Sequence, residues 1–341
     1  MLRIGIAGLG GMGTVHARNA LALEGAKLVA IASTRGERGS ELAGELGVRS
    51  CSYGELFASD DIDAVVVAAR SIDHSRVAVE ALAGGKHVLL EKPGATTLAD
   101  HDTLVAEAER RHAQVVQVGY HRRYDEGFVE AARLVQEGRV GRPLIVLTTS
   151  RDIRTPEPED PNPAGGFLVD MASHDYDTAC WMLGQEPETV HVERQVSVYP
   201  ELEALDDVDN AVVTVRFDGG GIAVTHVSRT CPWGHDVRLE VVGDEGSVFL
   251  GTDVSGAGVS TVTGADAHGF PADYRELFAG AYVAELQAFV DACTGVGPRG
   301  PGLAEDRRAV ATGIAARAAA VSGETLEVGR DWPWHATPDS G

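Results

Sequence analysis

A strand that runs directly into a glycine turn and then into a helix leaves a chain few options, and residues 2–13 have that form. Leu2, Ile4 and Ile6 alternate with Arg3 and Gly5, Gly8-Leu9-Gly10-Gly11-Met12-Gly13 follows at once, and a helical pattern begins at Thr14. In such a turn the first glycine (Gly8) permits the tight bend. The second (Gly10) lets a pyrophosphate approach the backbone, and the last (Gly13) lets helix and strand pack closely. The first N–H groups of the helix point at the phosphates, where the helix dipole favours negative charge. Glycine is common here, 41 of 341 residues, so the spacing alone is weak evidence. Its position between strand and helix makes a dinucleotide site a better reading than a plain turn.

The first third continues the same alternation. Strands are predicted at 2–7, 27–32, 63–68, 86–91 and 115–118, and helices near 14–24, 36–46, 74–83 and 97–111. Ala64–Ala68 and His87–Leu90 are unbroken apolar runs, as strands buried on both faces should be. Repeated β-α units predict a parallel, doubly wound sheet with its ligand across the carboxyl ends of the strands. After Gly119 the texture changes. A helix near 125–137, a strand at 143–151, a proline-rich flap at 155–163 and a helix near 168–183 are followed by strands near 188–198, 209–217, 221–229, 237–243 and 246–251. Strands without helices between them predict an open, mostly antiparallel sheet in a second, α+β domain. Helices near 275–294 and 303–321 close the chain, and Trp332 and Trp334 suggest that the tail docks. The expected division is a dinucleotide-binding domain at 1–120 and a substrate-binding and oligomerisation domain at 121–341.

Composition narrows the class. Hydrophobic residues at 44% and charged residues at 23% are those of a globular protein. No apolar run reaches the roughly 20 residues of a membrane span, and Leu2–Ala7 lacks the basic start of a signal peptide, which argues for the cytoplasm. A net charge of −22 argues against nucleic-acid binding. Cys51, Cys180, Cys231 and Cys293 are too scattered for a zinc site or disulfide framework, and no metal is expected. Only Lys27, Lys86 and Lys92 among 29 basic residues are lysines. Lysine can change its pKa where arginine in practice cannot, so each invites a specific explanation.

Three stretches could carry chemistry. At the end of the second strand, the acid that would hold a ribose 2′-hydroxyl is missing. Ser33-Thr34-Arg35 and Arg38 stand there instead, two hydroxyls and two guanidiniums suited to a 2′-phosphate, so NADP is favoured over NAD. Glu91-Lys92-Pro93 ends a buried strand at the ligand-facing edge. A cation there eases deprotonation of a substrate hydroxyl, although a strand-capping lysine would look the same. Asp170 and His174, behind Gly165-Gly166, are four apart and would share one helix face. Removing hydride from an alcohol carbon requires a base for the hydroxyl proton, and histidine titrates in the right range. The alternatives are an exposed ion pair or a metal set of His174, Asp175 and Asp177, which cannot all face one point on a regular helix.

Gly8–Gly13, Glu91-Lys92-Pro93 and Gly165–Asp177, in this order, resemble the Gfo/Idh/MocA oxidoreductases. Gly119–Asp125 and Ser150-Arg151-Asp152 are most similar to the inositol 2-dehydrogenase branch. The resemblance implies a Rossmann domain and a second domain whose open sheet forms homodimer or homotetramer contacts. It also implies a catalytic set of Lys92, Asp170 and His174. His174 is then the acid/base, Lys92 assists proton removal and holds the hydroxyl, and Asp170 positions the substrate. The N–H groups of Gly11 and Met12 would meet the pyrophosphate, with Ala69, His74, Glu91 and Lys92 completing the cofactor set. His121, Arg122, Asp152 and His235 would join the substrate set. The chain departs from the branch where His121 replaces a usual methionine, where His235 stands in place of a common tyrosine, and at Arg70-Ser71-Ile72-Asp73-His74. These departures leave the reaction class untouched and the polyol open. The expected function is NAD(P)-dependent oxidation of one secondary hydroxyl of a cyclic polyol or sugar. A sugar or aminocyclitol dehydrogenase is the near alternative. A non-catalytic NAD(P)-binding regulator, or a hydrolase or lyase that keeps its NAD, comes from another class.

Overall fold

A computed structural model of the chain describes all residues except 35, 154–164, 252–270, 272, 331 and 333–341, together with the side chains of 36–38. The proline-rich stretch 155–163, Arg35, the side chain of Arg38 and Trp334 therefore lie outside the described residues. Two compact units are present, one formed by 1–124 with 279–310 and the other by 125–278 with 311–341.

In chain order the first unit holds β1 (Leu2–Ala7), α1 (Gly11–Asn19), β2 (Ala26–Ala32), α2 (Gly36–Leu46), β3 (Arg49–Cys51), α3 (Tyr53–Ala58), β4 (Ala64–Val67), α4 (His74–Ala83), β5 (His87–Leu90), α5 (Leu98–Arg110) and β6 (Val116–Val118). The second holds α6 (Glu126–Gln136), β7 (Pro143–Ile153), α7 (Phe167–Asp170), α8 (Ser173–Leu183), β8 (Pro187–Gln195), β9 (Asn210–Phe217), β10 (Ile222–Cys231), β11 (Asp236–Gly243), β12 (Ser247–Leu250) and α9 (Tyr274–Leu277). Then α10 (Ala279–Thr294) returns to the first unit, α11 (Leu303–Ser322) crosses the division at residue 310, and β13 (Leu326–Glu327) joins the second.

The first sheet is six-stranded and parallel throughout, in the order β3-β2-β1-β4-β5-β6. The reversal of winding between β1 and β4 opens a crevice at their carboxyl ends, where such folds take ligands. Both faces are buried, as the apolar runs predict. Ile4, Ile6, Val66 and Leu89 pack on one side with Leu286, Phe289 and Val290 of α10. Val65, Val67, Val88 and Leu90 pack on the other with Leu56, Val77, Leu82 and Leu104. The scarce lysine Lys86 is accounted for here: its ammonium donates to the carbonyls of Ser59 and Ile62 and closes a turn.

The second sheet runs β12-β11-β7-β10-β9-β8-β13, antiparallel except where β10 pairs parallel with β7. One parallel pair makes it mixed and mostly antiparallel. Trp332 donates its indole N–H to the carbonyl of Glu327, beside β13. The four cysteines are free thiols.

Two local expectations change. The first helix begins at Gly11 and not at Thr14, because the glycines themselves take helical geometry. The predicted helix over 168–183 is broken into α7 and α8, with Met171 and Ala172 between them. At the break the Ser173 hydroxyl donates to the carbonyl of Asp170, which in a continuous helix would accept from the N–H of His174.

The core argument predicts that Phe289→Ala, which empties a fully buried site beside the first sheet, destabilises the protein by about 3–5 kcal/mol in urea unfolding. A loss below about 1 kcal/mol would show that α10 is not part of that core.

Candidate active site

The glycine turn has the geometry that a dinucleotide cradle needs. Gly8 has φ +103°, and a Cβ there would stand 2.2 Å from the carbonyl oxygen of Ala68. At Gly13 a Cβ would stand 2.0 Å from the carbonyl oxygen of Gly8, so helix and strand touch through that glycine. Gly10 is the opposite case, with nothing within 4 Å of an added Cβ: the backbone there faces open space. The turn leads into α1, whose N-cap is Gly10. No side chain caps it, and no acid lies in its first turn. Its leading N–H groups and positive dipole end suit an anion. Gly11, Met12 and Gly13 form that first turn. Ser33 and Thr34 follow β2 at the same carboxyl edge of the sheet.

Lys92 stands at that edge too, two residues beyond β5. Its chain neighbours are held from several directions. Glu91 donates its N–H to the carbonyl of Val67, and its carboxylate lies 2.7 Å from His16 Nε2. Burial pushes the Glu91 carboxyl up. The His16 hydrogen bond and the charges of Lys92 and His74 outweigh that and hold it below the ordinary glutamate range. On the other side, the Gly94 N–H donates to both oxygens of Asp306, which also accept from Tyr120 Oη at 2.8 Å and face His101 Nε2 at 3.0 Å. A Cβ on Gly94 would stand 2.2 Å from Asp306 Oδ2, so only glycine lets the turn sit this close.

His74 and Ala69, expected among the cofactor contacts, meet each other. His74 is 2% exposed, with Nε2 3.2 Å from the Ala69 carbonyl and Nδ1 2.8 Å from the Pro93 carbonyl. It ties the end of β4 to the turn after Lys92. His121 and Arg122, from a 3-10 turn at 121–124, are buried in the same unit. The His121 ring packs on Tyr282 at 4.8 Å. Burial, then the charges of Arg122, Lys92 and His16, push its imidazole well below the usual histidine range.

In the second unit, Gly165 and Gly166 take φ +85° and +99° and feed α7. Arg317 Nη1 donates to the Gly165 carbonyl at 2.5 Å, and Asp207 accepts the Phe167 N–H at 2.9 Å. Arg229 binds Asp207 and lies 4.2 Å over the Phe167 ring. Asp170 ends α7 half-buried, and His174 is the second residue of α8, only 9% exposed. The two therefore flank a helix break and do not lie on one regular helix. The neighbouring Asp175 is fully buried and accepts from Ser150 Oγ. His174, Asp175 and Asp177 do not bring three ligand atoms to one point among the described residues. Asp152 and His235 are brought together at the end of β7, with Oδ1 and Nδ1 2.8 Å apart, and His235 packs edge-on to Tyr274. Beside them Arg151 pairs with Asp236 at 2.9 Å.

No role is legible in sequence for His16, Asp306, Glu285 or Tyr120, because the groups they meet lie far away along the chain.

Comparison with known proteins identifies the family and the fold. A family model described as an oxidoreductase family with an NAD-binding Rossmann fold matches residues 2–120, and one described as a GFO/IDH/MocA C-terminal domain matches 128–249. Among curated proteins, the chain is 33% identical to the myo-inositol 2-dehydrogenase of Thermotoga maritima, over 85% of this chain and 87% of that one. It is also 33% identical to the scyllo-inositol 2-dehydrogenase (NAD(+)) of Bacillus subtilis, over 85% of each. Among solved structures, a myo-inositol dehydrogenase from Corynebacterium glutamicum superposes with TM-score 0.85 at 26% identity, covering 97% of this chain and 99% of that one. The apo scyllo-inositol dehydrogenase of Lactobacillus casei gives TM-score 0.88 at 25% identity, covering 97% and 99%.

The two glycines on either side of the turn make separable predictions. Gly10→Ala should leave thermal stability within about 1 kcal/mol of the parent and weaken dinucleotide binding about tenfold or more. Gly13→Ala should lower the melting temperature itself. Melting curves and fluorescence titration of the reduced dinucleotide check both; equal melting losses would refute the distinction.

Proposed function

Because the chain belongs to the GFO/IDH/MocA oxidoreductase family, in its inositol 2-dehydrogenase branch, we propose that it is a nicotinamide-dinucleotide-dependent dehydrogenase. Its substrate in this reading is one secondary hydroxyl of a cyclic polyol, myo- or scyllo-inositol first. The observation that carries the reading is within one unit. The carboxyl edge of a single parallel sheet holds an uncapped helix start behind close-packed glycines and, two strands away, the segment Glu91-Lys92-Pro93, of which Lys92 is half-buried.

The residues fit a dinucleotide. The first turn of α1 (Gly11, Met12, Gly13) would take the pyrophosphate, and Ser33 and Thr34, with Arg35 and Arg38 in the sequence, the adenosine ribose side. When bound, the nicotinamide supplies a hydride acceptor. The rest of the chemistry belongs to side chains. Lys92 holds the substrate oxygen and favours its deprotonated form by placing a positive charge beside it. His174 accepts the hydroxyl proton as the carbon gives up hydride, leaving a ketone. Asp170 orients the ring through its other hydroxyls. Asp152 and His235, already paired, and Arg122 and His121 complete the substrate set. His74, Ala69 and Glu91 support the Lys92 turn from behind. The joint action of Lys92, Asp170 and His174 rests on the resemblance of the three motifs.

An aminocyclitol or sugar is the second substrate reading, favoured by His121 and His235 at positions where the branch usually carries methionine and tyrosine. We further propose a homodimer or homotetramer. The support is the broad second sheet, with Phe249 72% and Val212 43% exposed.

Lys92→Ala and His174→Ala should each lower kcat by about 10²–10⁴-fold with dinucleotide affinity within several-fold of the parent. Near-normal turnover in either variant would overturn the assigned roles. On cofactor choice, the missing acid after β2 and the two arginines support NADP, whereas the Bacillus relative is named for NAD(+). Calorimetric titration should show NADP binding roughly tenfold or more tightly than NAD; a clear NAD preference would overturn that choice.

A further inference from the structure

Behind Lys92 lies a second group of ionisable side chains that the proposed mechanism does not use. His16 from α1, Glu91 at the end of β5 and Glu285 from α10 each offer one nitrogen or oxygen, and these atoms all lie within 4.8 Å of one another. His16 and Glu285 are fully buried and Glu91 is 8% exposed. All three belong to the first unit.

We propose that His16, Glu91 and Glu285 form one buried unit that carries a single carboxylate charge, on Glu91, with Glu285 as the neutral member. In this arrangement Glu285 is a positioning residue that acts on Lys92 through Glu91. The proposal deepens the dehydrogenase reading and rests on it for the role of Lys92.

Two carboxylates this close and this buried do not both stay ionised. Which one keeps the charge follows from their neighbours. Glu91 has His16 Nε2 at 2.7 Å, and the charges of Lys92 and His74 act on it. Neither oxygen of Glu285 has a hydrogen-bond partner among the described residues, and its main chain is fixed by Gln117, which donates to the Glu285 carbonyl. Burial and then the charge of Glu91 push the Glu285 carboxyl well above the usual glutamate range, in keeping with that geometry. The titratable and charged groups around the unit are His16 on α1, His74 on α4, Lys92 beyond β5, His121 and Arg122 in the 3-10 turn, and Tyr282 on α10.

The consequence reaches both ends of the site. Glu91 precedes Lys92 in the chain, and His16 sits on the helix that opens with the glycine turn. A single charge on Glu91, held by His16, fixes the strand end against that helix. Ionising Glu285 would set two like charges against each other there and push Glu91, and with it Lys92, out of place.

The sign with pH follows from the raised value. Stability carried by the protonated Glu285 is complete below the unfolded carboxyl value and is lost as pH rises toward the folded one. Relative to the parent, Glu285→Gln should therefore become steadily more stable from pH 5 to pH 8, by about 2–4 °C per pH unit. It should keep kcat within about threefold, as a conservative replacement that preserves the neutral shape, while Glu285→Ala should lose about tenfold or more in kcat with little change in dinucleotide affinity. Infrared difference spectra of parent against Glu285→Gln at pH 8 should show the carbonyl stretch of a protonated carboxylic acid. The infrared and melting measurements need no substrate, so they stand even if the polyol reading fails. The proposal is overturned if the acid stretch is absent, or if Glu285→Gln is destabilised equally at both ends of the pH range. Stoichiometric Zn²⁺ uptake by the parent that Glu285→Gln loses would also overturn it, in favour of a metal centre.

Discussion

Gly13 resting against the carbonyl of Gly8 is the contact on which the first unit depends. With 2.0 Å between that oxygen and any added Cβ, the start of α1 comes as near β1 as backbone allows. That closeness aims an uncapped helix terminus at the carboxyl edge of the sheet, and it places His16, one turn further on, deep enough to reach Glu91. The glycine turn is thus a phosphate cradle and also a packing device that joins helix, strand end and the Glu91-Lys92 segment.

Around this contact the protein spends buried polar groups where an ordinary core would use leucine. Asp306 satisfies Gly94, Tyr120 and His101 together, His74 bridges two carbonyls, and His16 pairs with Glu91. Each is costly to bury unless its hydrogen bonds are made, and, once made, they define one geometry more sharply than apolar contacts do. They converge on Glu91–Gly94, the segment that carries Lys92. In the second unit, Arg317, Asp207 and Arg229 do the same for the glycine pair before Asp170.

Much of this was legible in the sequence, for physical reasons. Strand–glycine–helix order and unbroken apolar runs are local signals, so the parallel sheet could be read directly. The antiparallel run of the second sheet followed from strands separated only by turns. Four kinds of feature were not legible. Short elements such as β3, α3 and β13 carry too few residues for a period to show. The break between α7 and α8 coincides with a single local bond, from the Ser173 hydroxyl to the Asp170 carbonyl, which has no periodic signature. The return of 279–310 to the first unit depends on where Leu286, Phe289 and Val290 pack, and their apolar pattern fits any core equally well. Lysine scarcity was an uneven guide, since Lys86 turns out to close a turn through two carbonyls. Polar members of the supporting shell stayed hidden because a buried Glu285 or Asp306 is defined by partners distant in the chain.

In the proposed reaction, hydride leaves a ring carbon while Lys92 and His174 manage the hydroxyl proton. Its most direct test follows absorbance at the reduced-nicotinamide band across a panel of inositols, hexoses and aminoglycosides, then repeats the best substrate with deuterium on the reacting carbon. The expected result is reduction with one cyclic polyol or a close relative and deuterium recovered on the nicotinamide ring. Substrate consumption with no net reduction, or deuterium released to water, would contradict it.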